Sequence, residues 1–560
     1  MAIFPFPWRA MTAIAVITSY LLTSRQSDWS KGQFVGGFFA TWFLQLFLWA
    51  SWAVVLWPKF FSPLRRLPEP AGGSFFMGHF REIADKPTGI PMRRWVDTVP
   101  NNGLMRYQSM FNEERVLVTG SKALSEVLVT SNYDFQKPAA LRFNIGRILG
   151  VGVLLAEGDE HKAQRKNLMP AFAFRHIKDL YPVFWSKSRE VVQAMTNDII
   201  SSTSEPEPSS DPVKAQKSAI IEVGGWASRV TLDIIGIAGL GRDFGAIKDD
   251  NTELNQTYRS VFTPTRSARM LALVSIIVPE WFLARLPVKR NNDIAAAAQF
   301  IRSECHDMVQ EKKQKMARKE PTGHDILSVA LESGGFSDSD LVDQLMTFLA
   351  AGHETTATSM TWAIYMLSRF PKIQEKLRQE VREKLPSIDS DSDISSLDID
   401  HMPYLNAVCN EVLRYYAPVP LTIREAARDT SIMGQKIPKG VRVILAPWAT
   451  NFDKEQWGPD AHEFNPERWM PKSADDKRAA SGGAASNYSF MTFLHGPRSC
   501  IGQSFAKAEF ACLLASWVGR FEFSLANEEE MDEKKIEIKG GITARPAKGM
   551  HVHATVVDGW

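Results

Sequence analysis

Cys500 stands in the stretch FLHGPRSCIG (residues 493–502), between Gly496 and Gly502 and two residues after Arg498. The following Ile501, Phe505, Ala508, Cys512 and Ala515 keep the 4-3-4-3 spacing of a buried helix face. That spacing accounts for Cys512 as a small core residue. Cys500 lies just ahead of the helix, where unpaired N–H groups and the helix dipole favour an anion and draw a thiol toward thiolate. The two glycines permit a tight turn and close approach to something bulky. Arg498 offers a rigid cationic fork to an anionic group.

A second cluster is AAGHETT (350–356), inside a helical pattern running from about Asp338 to Arg369. Ser337 and Asp338 can cap its start and Pro371 follows its end. The apolar stripe Leu341, Leu345, Phe348 continues through Gly352, Thr355 and Ser359 on the same face, which leaves room for a ligand or for a close helix contact. Glu354 within that helix is costly unless paired or used. A third is Glu411 and Arg414 in NEVLR, three apart and on one helix face, a spacing that by itself fits a surface ion pair.

A thiolate, a close-packed loop and an arginine describe the proximal side of a haem, with sulfur on iron and guanidinium on a propionate. Phe493, Gly496, Arg498, Cys500 and Gly502 occupy the fixed positions of the cytochrome P450 signature F-x-x-G-x-R-x-C-x-G, and the chain resembles that family. AAGHETT resembles the family's A/G-G-x-D/E-T-T motif. The resemblance implies a proton relay in which Thr355 is the alcohol and Glu354 the acid that helps bring in the protons that split O–O. NEVLR followed by NPERW resembles the E-x-x-R and P-E-R-F pair, which implies a buried triad of Glu411, Arg414 and Arg468 behind the cysteine loop, with Trp469 in place of Phe. HKAQR (161–165) resembles W-x-x-x-R, implying that Arg165 and His161 bind a propionate, His161 standing where the family has tryptophan. Arg424 lies where many members place another propionate-binding arginine; a surface charge is the alternative. His353 and His495 fall in variable slots of their motifs and are not assigned as ligands.

The resemblance implies a mainly α fold with a minor β component, haem b held through Cys500, and insertion of one oxygen atom of O2 into a lipophilic small molecule. By family position the substrate pocket draws on residues 139–155, Phe348, Ala351, Val419–Ile423 and Ile542, mostly aliphatic or aromatic. No flavin or nicotinamide domain is evident, so electrons would come from NADPH through a cytochrome P450 reductase, with cytochrome b5 as a further donor. A haem-thiolate isomerase or dehydratase that needs no reductase, and a non-catalytic membrane haem protein, are the alternatives. The inserts and His161 look more like fungal members, many of them enzymes of secondary metabolism.

These residues need a body to position them. Residues 34–57 are free of charge and as a helix would span roughly 36 Å, enough to cross a bilayer. Lys59, Arg65 and Arg66 follow at once, which favours a cytosolic location for what comes after, on the endoplasmic reticulum membrane. A shorter apolar stretch, residues 10–22, is a second membrane contact or an interfacial segment. A cleaved signal is the alternative to an anchor over residues 1–62. Residues 63–73, PLRRLPEPAGG, read as a stiff proline-rich hinge ahead of a single domain over 74–560. Two short strands are expected within 104–119, and the polar stretches 201–210, 387–400 and 474–487 read as surface inserts. The balance of 65 basic and 63 acidic residues, without a long basic block, gives no sign of a nucleic-acid partner. Four cysteines without a C-x-x-C pair make no disulfide framework and suit a reducing compartment.

Overall fold

The computed structural model describes residues 6–25, 30–202, 217–262, 270–271, 274–275, 278, 280–321, 323, 325–471, 473 and 479–560. Most of the insert at 201–210 and the first part of that at 474–487 lie outside the described residues. The chain forms two compact units, one of residues 1–86, 90–136 and 421–449, the other of 87–89, 137–420 and 450–560.

The first unit begins with helix α1 (Trp8–Thr23) and helix α2 (Lys31–Ala50), the latter continuing in π-helical turns to Phe61. Ser30 starts α2 with a reciprocal cap: its hydroxyl accepts from Gln33 N–H, and Gln33 Oε1 accepts from Ser30 N–H. Among the described residues, Lys31–Arg66 is the one helix long and apolar enough to cross a membrane, with a mean hydropathy of 1.6 in its most apolar window and almost nothing of it buried.

Its end is fastened to a five-stranded sheet. The strand order is β1 (Leu104–Gln108), β2 (Glu114–Val118), β8 (Arg442–Leu445), β5 (Thr422–Ala426), β3 (Phe135–Gln136). Only the β2–β8 pairing is parallel, and β6 (Thr430–Ile432) and β7 (Gln435–Ile437) form a separate antiparallel pair. Pro58 has no N–H to give the Val54 carbonyl four residues back; Asn112, in the β1–β2 turn at φ 53°, donates Nδ2 to that carbonyl at 2.8 Å. Arg106 on β1 donates to the Pro58 carbonyl at 2.7 Å. The proline-rich connector is docked on the same strand: Pro68 O accepts from Arg106 N–H, and Glu69 pairs with the Arg106 guanidinium at 3.1 Å. Beneath the sheet Trp95, Met105, Tyr107, Leu117 and Ile444 form the core. Arg424 lies in β5, buried, its guanidinium on Thr422 Oγ1 and the Ile423 carbonyl.

The second unit is mainly helical. The pattern expected over Asp338–Arg369 is a single 32-residue helix, here α5, capped by Ser337 and Asp340. Asp338 instead receives Gln310 and Lys313. Around α5 lie α4 (Val223–Ile234), the helix Lys289–Ala317, α6 (Pro403–Tyr415) and α7 (Gln503–Arg520), and α3 (Tyr181–Ser202) packs on α4 and α7. A small antiparallel sheet, β4 (Ser218–Glu222), β12 (His551–Val556), β9 (Phe521–Leu525), ties the C-terminal segment to the start of α4. The C-terminal hairpin joins β10 (Ile538–Lys539) to β11 (Arg545–Pro546).

Candidate active site

The cysteine loop closes on itself. Cys500 N–H donates to the Phe493 carbonyl at 2.8 Å, Leu494 takes φ 56°, and Gly496 takes φ 74°, a conformation that costs glycine nothing. Cys500 then leads through Gly502 into α7. No protein atom comes closer than 3.7 Å to where a Gly502 side chain would begin, so packing within the chain does not require that glycine. Cys500 presents an accessible thiol, unlike the buried Cys305, Cys409 and Cys512. Its thiol is nonetheless pushed up, not down: desolvation among the surrounding protein atoms outweighs the Gly502 N–H and the charge of Arg165. A coordinated metal ion, which deprotonates a thiol outright, would reverse that balance.

Arg165 and Arg498 both converge on this loop. Arg165 donates to the Ser499 carbonyl at 2.7 Å and to Ser499 Oγ at 3.2 Å. Arg498 is buried and pairs with Glu157, whose other oxygen accepts from Lys137 N–H at 3.0 Å. His161, one turn before Arg165, is buried. Arg424 belongs to the other unit.

Behind the loop, Glu411, Arg414 and Arg468 come together. Arg414 binds Glu411 with two parallel bonds of 2.8 Å, and its remaining N–H groups reach the carbonyls of Asn451, Ala461 and Glu463. All five guanidinium donors are used. Glu411 also accepts from Arg468 Nε (3.1 Å), Asn465 N–H (2.8 Å) and Trp469 Nε1 (2.9 Å). Burial alone would raise the Glu411 carboxyl; Arg414, Arg468 and Asn465 overcome it and hold it below the ordinary range. Asn451 carries the network forward: it donates to the Arg414 carbonyl and Thr492 Oγ1, and accepts from Met491 N–H, two residues before Phe493.

Helix α5 is buried along most of its length but opens at Ala351 and Thr355. Thr355 Oγ1 donates to the Ala351 carbonyl at 2.8 Å, which leaves its lone pairs on the open face. At Gly352 the second of the two expected uses holds: a Cβ there would lie 2.8 Å from Ile235, so its smallness serves helix packing. Ser359 is buried, with its hydroxyl on the Thr355 carbonyl. Glu354 Oε1 accepts from Thr543 Oγ1 (3.0 Å) and pairs with Arg545 (3.1 Å), both supplied by the C-terminal hairpin. The pair borders a cavity of about 430 Å³ whose lining includes Glu222, His353, Lys548 and His551.

The family model for cytochrome P450 matches residues 70–552. The chain is a cytochrome P450. It is 45% identical to cytochrome P450 monooxygenase ALT8 of Alternaria alternata, over 92% of this chain and 93% of that one. It is 44% identical to FUM15 of Gibberella moniliformis (90% of each chain) and 45% identical to sphH of Aspergillus fumigatus (90% of each), both named cytochrome P450 monooxygenases. The P450 is thus a haem-thiolate monooxygenase of a fungal type.

The donor set of the P450 fits a haem: one accessible sulfur, two arginines on the same loop, and open surface at Ala351 and Thr355 on α5. Several participants had no signal in the sequence. Glu157, Asn451, Thr543 and Arg545 become partners of the site only through the tertiary fold. Trp469 was visible as an exception to the motif, and its indole N–H gives Glu411 a donor that phenylalanine lacks. Glu509 on α7 is fully buried, and burial drives its carboxyl well above the ordinary range, offset only in part by the Thr356 hydroxyl. It lies against the Thr356 hydroxyl, next in sequence to Thr355. The rings of His353 and His495 are hydrogen-bonded to the Leu349 and Phe490 carbonyls.

Proposed function

We propose that this P450 is anchored in the endoplasmic reticulum membrane by residues 1–62, with residues 74–560 facing the cytosol, and that it takes electrons from an NADPH-dependent cytochrome P450 reductase, with cytochrome b5 as a further donor. Its substrate is a lipophilic small molecule of secondary metabolism. Cys500 ligates haem iron; Arg165, His161, Arg498 and Arg424 serve the propionates; Phe493 shapes the loop; Glu411, Arg414 and Arg468 hold it. When bound, the haem supplies O2 activation and oxygen insertion.

The observation that carries the reading is Glu354. A carboxylate in the middle of a buried helix is held by Arg545 and Thr543 at the wall of a polar cavity, next to Thr355 on the helix's open face. Glu354 can draw protons from the cavity side, and Thr355 can pass them on the other. Arg545 and Thr543 fix the direction in which the carboxylate points.

Reconstitution with reductase, scoring product per NADPH consumed, tests this. Thr355→Ala and Glu354→Gln are expected to lower product formation by about 10²-fold, the lower end of what positioned proton transfer contributes, while NADPH oxidation continues. Arg545→Ala, which releases the Glu354 carboxylate from its ion pair, should lower product per NADPH without changing the carbon-monoxide spectrum. Turnover that needs no NADPH would overturn the proposal, as would variants that keep full coupling.

A further inference from the structure

We propose that residues 8–23 are a second membrane-inserted helix, so that α1 and α2 enter the bilayer together as a hairpin. The N-terminus then returns to the side that carries the rest of the chain. This rests on reading α2 as the anchor.

The two helices run antiparallel in one register. Phe6 packs its ring on Trp49, Gln45 Nε2 donates to the Met11 carbonyl (3.2 Å), Trp42 Nε1 donates to Thr12 Oγ1 (3.4 Å), and Ser19 Oγ donates to the Phe34 carbonyl (2.7 Å). The contact stripe of α1 is Met11, Ala15, Ser19 and Thr23, each four residues apart and all buried. Opposite it, a Cβ on Gly37 would lie 2.6 Å from Ser19 Oγ. Small residues at four-residue spacing, close backbone approach and hydrogen bonds across the seam are the means by which helices associate where solvent is as apolar as the side chains.

The outward faces decide the occupant. On α1, Ile14, Ile17, Leu21 and Leu22 are at least half exposed; on α2, Phe39, Phe43, Phe47 and Leu48 are as well. A hairpin built for water hides its apolar residues and shows its polar ones. This one turns Ser19, Thr12 and Gln45 inward and its leucines and phenylalanines outward, a distribution that lipid covers and water does not. At 1.5 Å per residue the 16 residues of α1 span about 24 Å, close to the roughly 27 Å hydrocarbon of a thin bilayer. The antiparallel arrangement also places Arg9 at the same end as Lys59, Arg65 and Arg66, leaving Arg25 and Lys31 at the other. The excess of basic residues then falls on the cytosolic side.

The test uses the full chain in sealed microsomes, with one epitope ahead of Met1 and another after Trp560, and a flexible insert carrying an Asn-Ser-Thr acceptor between Arg25 and Lys31. The expected result is loss of both epitopes to protease without detergent, together with glycosylation of the insert. A protected N-terminal epitope beside a digested C-terminal one overturns the hairpin and keeps a single span. An unglycosylated insert with both epitopes digested overturns it also, placing both helices at the surface. Release of the protein by alkaline carbonate removes the anchor reading itself.

Discussion

Cys500→Ser removes the long-wavelength Soret band of the reduced carbon-monoxide complex and, with it, monooxygenase turnover, while the chain stays folded. Cys500 is the one cysteine with an accessible thiol, and its loop is built by backbone bonds that serine leaves intact, notably Cys500 N–H to the Phe493 carbonyl. The folding network behind the loop does not touch its sulfur. Outer-shell partners of a metal ligand typically cost roughly 10–100-fold when removed, so loss of the ligand itself is expected to exceed about a hundredfold. The reduced carbon-monoxide spectrum and circular dichroism of both proteins check this together. A native long-wavelength band in the serine variant would return Cys500 to the status of an ordinary thiol.

Arg414→Ala destabilises the protein and loosens the cysteine loop from behind. The guanidinium is fully buried and makes five hydrogen bonds, two of them to Glu411. Removing one partner of such a pair strands a buried charge and costs about 3–5 kcal/mol. Three backbone carbonyls lose a donor as well. Arg414→Lys restores charge but has three donors in place of a planar five, so it is expected to recover only part of the loss. The order of denaturation midpoints should be wild type, then lysine, then alanine, and the same order should hold for the fraction of chains that retain haem. An alanine variant with the wild-type midpoint would show that the triad does not support the loop.

The long helix over Asp338–Arg369 was legible because its apolar period, its serine cap and the proline beyond it agree. The triad was legible through motif order alone, since the spacing of Glu411 and Arg414 cannot distinguish a surface pair from a buried one. Burial and the Asn451 bridge are properties of the fold. At Cys500 the sequence shows the helix terminus, which favours an anion, but not the opposing desolvation by the protein around it. At Gly352 the sequence left a ligand space and a close helix contact open, because the neighbour that decides for the contact, Ile235, lies more than a hundred residues away in sequence. Partners such as Arg545 and Glu157 are set by long-range packing, which a motif does not encode.

Pro58 bears on where this chain can be cut. Truncation just after Trp57, the end of the apolar stretch, would discard the Val54 carbonyl that Asn112 satisfies, leaving an amide donor in a buried turn with nothing to bind. A water-soluble form is better sought by starting upstream of Val54 and replacing exposed Trp52, Leu56, Phe60 and Phe61 with polar residues. The last turns of the apolar helix are, in folding terms, the first piece of the interior of the unit that follows.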